Sequence, residues 1–131
     1  MTLDISNFIY VFVMLLVFSI GTCTAQEVIN QGNFKDKIAK DIVVVEFWAE
    51  WNKANEFTEL NKLKDSSVYR VNIMHCTKLQ ADYNISAVPT VVVFDNGIEK
   101  ERFNANIMFQ LEADKKTIQT SIDTIILNKF Q

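Results

Sequence analysis

Two kinds of hydrophobic pattern alternate along residues 26–131. Near-continuous runs of β-branched and aromatic residues at 42–48 and 91–94 predict strands that are covered on both faces. Period-two alternation at 68–74 predicts a third strand, and residues 98–103 a fourth. Apolar residues with helical spacing predict helices over 34–39, from 52 to about 64, over 77–83 and over 114–129.

A short apolar stretch at 26–30 predicts an edge strand, which completes the order β-α-β-α-β-α-β-β-α. Such alternation is typical of an α/β domain whose helices cover both faces of the sheet. We therefore expect one mixed sheet of four to five strands. Asn52 or Asn55 is the expected N-cap of the second helix, and Thr77 that of the third.

Proline, glycine and asparagine residues mark the ends of several predicted elements. Pro89 has no N–H, so it must precede the strand at 91–94 rather than lie within it. The Asn96-Gly97 pair between two strand patterns predicts a tight hairpin. Asn84 tolerates the left-handed conformation that often ends a helix.

The first 25 residues predict a secretory signal peptide and not part of the fold. An apolar run at 8–18 is too short for a comfortable membrane span, and small residues lead to Ala25. The expected domains are therefore a signal peptide at 1–25 and a globular domain at 26–131, exported to the periplasm or secreted, with no stable span afterwards. No Lys or Arg precedes the run, so the alternative is a membrane anchor through residues 8–20.

Charge and cysteine content exclude several classes of function. The 131-residue chain has a formal net charge of -3 and no basic run, so nothing supports nucleic-acid binding. Its two cysteines are Cys23 and Cys76, and cleavage after Ala25 would leave Cys76 as a lone thiol. We expect that thiol to be buried and inert, or bonded to another molecule. His75 beside Cys76 supplies too few ligands for a metal site.

Two motifs then resemble the thioredoxin family. Residues 45–51, Val-Glu-Phe-Trp-Ala-Glu-Trp, are similar to the strand and turn that lead into its active site. Residues 83–90, which end in Val-Pro-Thr, resemble its second signature, in which the proline is cis. The resemblance implies a thioredoxin fold with cis-Pro89. The end of the leader and residues 106–111 also look like small exported thioredoxin-like proteins of Bacteroidetes-type bacteria.

The resemblance breaks where the family carries Cys-x-x-Cys. The matching positions are Asn52 and Asn55, with Lys53 and Ala54 between them. Because an amide is not a nucleophile, the dithiol reaction is not expected at these positions. We therefore interpret the domain as redox-inactive. We expect that it is not an enzyme, because the dithiol–disulfide site is lost, and that it has no cofactor and no metal.

The resemblance also implies a binding groove and a buried acid. Trp51, Asn52, Lys53, Val88 and Pro89 would line a groove for a protein or peptide partner, with main-chain bonds from Val88. Glu46 matches the family's buried acid, and Arg70 is its expected partner, because an unpaired buried charge is costly.

Two other hypotheses are thiol–disulfide chemistry through Cys76 alone, and a structural partner subunit. The structural role would use the C-terminal helix or residues 103–111 as its interface.

Overall fold

The structure is a computed structural model that describes residues 26–131. Within these residues there are three α-helices, four strands and two short 3-10 segments. In chain order they are α1 (Phe34–Ile38), β1 (Ile42–Trp48), the 3-10 segments Glu50–Asn55 and Leu60–Lys62, β2 (Ser67–Asn72), α2 (Thr77–Asp82), β3 (Thr90–Asp95), β4 (Ile98–Phe103) and α3 (Lys115–Asn128).

The four strands form one mixed sheet in the order β2-β1-β3-β4. β1 pairs in parallel with β2 and antiparallel with β3, and β3 pairs antiparallel with β4. The predicted mixed sheet is therefore confirmed, with four strands. β1 is central and carries the long β-branched run, as expected for a strand covered on both faces.

The predicted edge strand at 26–30 is reduced to one parallel bridge, between Val28 and Arg70. The chain turns away at Asn30, whose side-chain oxygen accepts a hydrogen bond from the N–H of Gly32 at 2.8 Å. The side chain of Asn33 closes the same turn by accepting from the N–H of Asn30 at 2.8 Å. This local turn ends the pairing before a strand can form.

Alternate residues of β1 belong to two separate cores. One face packs on α1 and α2, and the other packs on α3 and on the irregular stretch of residues 57–63. The largest fully buried side chains of the first core are Phe34, Phe47 and Phe94, and those of the second are Leu60, Ile118 and Ile122. The two-layered covering of the sheet fixes β1 and its ends in place.

The predicted helix from Asn52 to about residue 64 is wrong. Two 3-10 segments stand there, and the backbone of Glu56 between them is extended (φ -59°, ψ 149°). The N–H of Phe57 donates to Oε1 of Glu46 at 2.6 Å, so a buried acid on β1 takes the donor that a helix would use. The expected caps fail too, since Ala49 is at the N-cap without a side-chain bond.

The predictions for Pro89, Asn84 and the Asn96-Gly97 turn are confirmed. The Val88–Pro89 peptide is cis, and Asn84 has a left-handed φ of 51°. Asn96 and Gly97 have φ values of 49° and 81°, as the hairpin prediction requires. The Thr77 cap is wrong, because Cys76 is the N-cap residue of α2 and makes no side-chain capping bond.

The signal peptide, the alternative anchor at 8–20 and Cys23 lie outside the described residues. Within residues 26–131, none of the helices has both the length and the apolar character needed to cross a membrane.

Candidate functional site

Three chain segments converge at one edge of the sheet. Trp51 and Asn52 follow β1, Ile73 and Met74 follow β2, and the cis peptide at Val88 precedes β3. In open α/β sheets, ligands bind outside the carboxyl ends of the strands. A pocket of about 320 Å³ opens there, lined by Trp51, Ile73, Met74, Thr77, Gln80, Ser86, Ala87, Val88 and Phe109.

Asn52 joins this edge through three hydrogen bonds. Its Nδ2 donates to the carbonyl of Val88 and to the carbonyl of Phe109, each at 2.9 Å. Its Oδ1 accepts from Nδ2 of Asn55 at 2.8 Å. Both N–H groups of the Asn52 amide are therefore engaged. Lys53, between the two asparagines, is exposed.

Of the predicted groove residues, Trp51 and Val88 line the pocket and Asn52 bonds to Val88, but the main chain of Val88 is not open. Val88 is only 1% exposed, and its carbonyl already accepts from Asn52. Pro89 lies directly behind it at the start of β3. Pairing of a partner with the Val88 carbonyl stays a prediction. It would require Asn52 to release that carbonyl and to donate to another acceptor.

The sequence-based site omits most of the pocket lining, and the omitted residue with the most direct contact to the predicted site is Phe109. Its ring meets the ring of Trp51 edge-on, at a centroid distance of 5.1 Å and an interplanar angle of 90°. Trp51 itself is 59% exposed. The run Ile107-Met108-Phe109, three apolar residues in a predicted link, is the sequence signal that could have drawn attention to this segment.

Glu46 and Arg70 lie behind the site, directly opposite each other on β1 and β2. Arg70 Nε is 2.8 Å from Oε2 of Glu46, although neither atom has hydrogen-bond geometry. Arg70 also bonds Oε2 of Glu56 at 2.9 Å and the carbonyl of Phe57 at 3.0 Å. Burial raises the pKa of Glu46 to about 7, against the opposing effects of the Phe57 N–H and Arg70.

Cys76 is the one free cysteine of residues 26–131, and it is 3% exposed. It belongs to the core on the α1 and α2 face of the sheet. Ile73 and Met74 before it and Thr77 after it line the pocket. The neighbouring His75 is exposed, and among the described residues no group of three or more His, Cys, Asp or Glu could hold a metal ion.

Comparison with known proteins identifies the fold family. The family model described as Thioredoxin matches residues 25–119. The chain belongs to the thioredoxin family. It is 39% identical over 70 residues to a thioredoxin of Mycoplasma genitalium, covering 49% of this chain and 69% of that protein. It is 30% identical over 82 residues to a thioredoxin of Chlamydia trachomatis, covering 58% of this chain and 80% of that protein.

Solved thioredoxins share the fold. A mutant thioredoxin from Halobacterium salinarum superposes with a TM-score of 0.59 at 23% identity, covering 77% of this chain and 94% of that one. A designed protein gives a TM-score of 0.63 at 22% identity, covering 78% and 98%. These likenesses confirm the thioredoxin fold that the two motifs imply.

The interpretation of the domain as a redox-inactive binding module is contradicted by these comparisons. The curated relatives are named thioredoxin, a name that points to redox activity. That interpretation depended on the absence of cysteine at residues 52 and 55. The thiol of Cys76, which lies close to the same edge of the sheet, was treated as inert. Thiol–disulfide exchange requires a cysteine thiol, and within residues 26–131 Cys76 carries the only one.

Proposed function

We propose that this protein takes part in thiol–disulfide exchange with polypeptide partners, and that Cys76 is the thiol that exchanges. The observation that carries the proposal is the position of Cys76 between residues that line the pocket at the site edge of the sheet. Membership of a family whose curated relatives are named thioredoxin supports the class of reaction.

The exchange uses one thiol of this chain, a disulfide of the partner and a second thiol that resolves the mixed disulfide. The Cys76 thiolate attacks one sulfur of a partner disulfide, that bond breaks, and the partner's other sulfur leaves as a thiolate that takes up a proton. The mixed disulfide is then resolved by a second thiol, which is either the partner's own or a small-molecule thiol. With an external dithiol as reductant, the net result is a reduced partner and an oxidised dithiol.

The burial of Cys76 makes an opening step necessary. The turn that precedes it is held by short-range bonds, from the Met74 N–H to Oδ1 of Asn72 at 3.0 Å and from the His75 N–H to the Asn72 carbonyl at 3.1 Å. The Cys76 N–H donates to the Ile73 carbonyl at 3.4 Å. Apart from the bond between the Ile73 N–H and the Trp48 carbonyl at 3.0 Å, the bonds of the turn are local, so residues 74–76 can open without unfolding the sheet, at a modest free-energy cost.

The same edge suits an extended polypeptide. Trp51 offers a half-exposed aromatic face, the pocket beside it is mainly apolar, and Asn52 presents amide N–H groups to carbonyl oxygens. Aromatic anchors and main-chain hydrogen bonds are what strand-like recognition of a peptide uses. Trp51, Asn52, Lys53, Val88 and Pro89 are the proposed binding residues.

Reduction of insulin disulfides by dithiothreitol tests the chemistry in the full chain. We expect the protein to accelerate the reaction over dithiothreitol alone, C76S to fall to that background, and the matched variant C23S to keep the wild-type rate. Without dithiothreitol, mass spectrometry should detect a mixed disulfide at Cys76. A C76S variant that is folded by circular dichroism and still as active as wild type would refute the assignment.

A further inference from the structure

A compact loop, residues 106–110, covers part of the site, and we call it the strap. It is held together by its own hydrogen bonds. Oδ1 of Asn106 accepts from the N–H of Met108 at 2.9 Å and from the N–H of Gln110 at 3.1 Å. The main chains of Asn106 and Gln110 also bond at 2.9 Å, as do the Phe109 N–H and the Asn106 carbonyl. The strap can therefore move as one unit.

A bridge between Ala105 and Leu111 closes the base of the strap. Its tip is in solvent, where Ile107 is 97% exposed and Met108 is 68% exposed. Apolar side chains this exposed do little to anchor a loop. A segment closed at its base and unpacked at its tip is suited to hinge motion.

Phe109 makes the two contacts that hold the strap on the site. Its carbonyl accepts from Nδ2 of Asn52, and its ring packs on Trp51. To do so, Phe109 adopts a φ of 57°, a left-handed conformation that is unfavourable for a bulky side chain. Backbone strain of this kind persists where surrounding contacts offset it, and it is often found at switch segments.

We propose that the strap is an autoinhibitory cover: it occupies the position of a partner's main chain at Asn52, and a polypeptide binds only after the strap has moved. The Phe109 carbonyl stands where a partner's carbonyl would accept from the Asn52 amide. The inference rests on the proposed function only in taking a polypeptide as the occupant of this edge.

The proposal has a quantitative consequence. The observed dissociation constant for a polypeptide is the intrinsic constant divided by the fraction of molecules with the strap open. Removing the Phe109 ring weakens the closed state and leaves the Asn52 amide available to the partner. F109A should therefore bind more tightly than wild type, by about fivefold if the lost ring contact with Trp51 is of ordinary strength.

Fluorescence anisotropy with labelled, cysteine-alkylated insulin B chain tests this in the full chain. The probe has no disulfide, so binding is measured without thiol chemistry. F109A should lower the dissociation constant, whereas I107A, a change at the solvent-exposed tip of the same strap, should leave it at the wild-type value. An F109A constant equal to or above wild type would overturn the proposal, and so would the absence of binding in every variant.

Nuclear Overhauser contacts between the rings of Trp51 and Phe109 supply a second readout. Adding B chain should abolish these contacts, and N52A should weaken them without B chain because the bond to the Phe109 carbonyl is lost. Unchanged contacts in both cases would overturn the strap. C76S, which should not reduce insulin, should still release the strap as wild type does. A wild-type protein that fails the insulin assay but releases the strap refutes the role of Cys76 alone, and one that reduces insulin without releasing the strap refutes the strap alone.

Discussion

Glu46 and Arg70 form an ion pair across two parallel strands, with Oε2 and Nε 2.8 Å apart and side chains that are 0% and 13% exposed. The register of β1 and β2 sets the two residues directly opposite each other. Arg70 reaches outward as well, to Glu56 and to the Phe57 carbonyl. The pair therefore ties the sheet to the irregular segment that follows β1.

Replacing Arg70 by Met should destabilise the fold strongly. The change leaves the Glu46 carboxylate buried without its partner, and breaking buried pairs in this way costs about 3–5 kcal/mol. Urea unfolding at pH 8, where Glu46 is mainly ionised, measures the change in free energy of unfolding.

The matched control for R70M is K37M. Lys37 pairs with Glu27 at 2.6 Å, but the side chains are 33% and 53% exposed, so solvent screens this pair. The control should leave the unfolding midpoint near wild type. Equal losses in R70M and K37M would mean that burial of the Glu46 pair has no special energetic role.

The titration of Glu46 predicts how stability depends on pH. Its folded-state pKa is about 7, above the ordinary value of 4.5, so the folded protein holds this proton more tightly than the unfolded chain does. The stabilisation that comes from tighter binding of this proton is complete below about pH 4.5 and is lost as the pH rises to about 7. The full difference corresponds to roughly 3 kcal/mol.

E46Q isolates this titration from those of the other acids. The difference in unfolding free energy between wild type and E46Q should change between pH 4.5 and 7.5, with wild type losing stability relative to the variant as the pH rises. Glutamine is neutral throughout this range, so it removes the titration but keeps an acceptor for the Phe57 N–H. A difference that is flat over that range would contradict the raised pKa.

The parts of the fold that the sequence predicts well are governed by near neighbours in the chain. The β-branched run of β1 and the Asn96-Gly97 hairpin are local signals, and both stand as expected. The helix expected after Asn52 fails because its outcome depends on a long-range bond, from the Phe57 N–H to Glu46 on β1. Periodicity carries no information about such a bond.

The difference between local signals and long-range bonds also explains why Phe109 was missed at the site. The two motifs bring Trp51, Asn52 and Val88 to one edge of the sheet. The strap joins them through a bond between Asn52 and the main-chain carbonyl of Phe109, 57 residues away in the chain. A carbonyl is present in every residue, so its use as a partner leaves no mark in the amino-acid sequence.

Cys76 should react slowly with thiol reagents in the native protein. At 3% exposure it is reached only when the turn before it opens, so its alkylation in a C23S background should be about tenfold or more slower than that of a free thiol. Urea should restore the rapid rate. Reagent uptake is followed by mass spectrometry, and rapid labelling without urea would contradict the burial of Cys76.

Replacing Gly97 by Ala should destabilise the β3–β4 hairpin by about 1 kcal/mol, because Gly97 has a φ of 81° and an added Cβ makes that conformation unfavourable. The space itself is adequate, since the nearest atom to such a Cβ would be the Cα of Ala39 at 3.8 Å. The loss would therefore report conformational strain rather than a clash. Urea unfolding of G97A gives the value.

G32A is the comparison that separates strain from the general effect of adding a methyl group. Gly32 has no left-handed φ, and a Cβ there would meet only the side-chain oxygen of exposed Asn30, at 3.2 Å. That oxygen also accepts the N–H of Gly32, but it belongs to an exposed side chain rather than to backbone, so G32A should lose less stability than G97A. If the two variants lost equal stability, the positive φ at Gly97 would not be the cause, and the hairpin would tolerate alanine as an ordinary turn does.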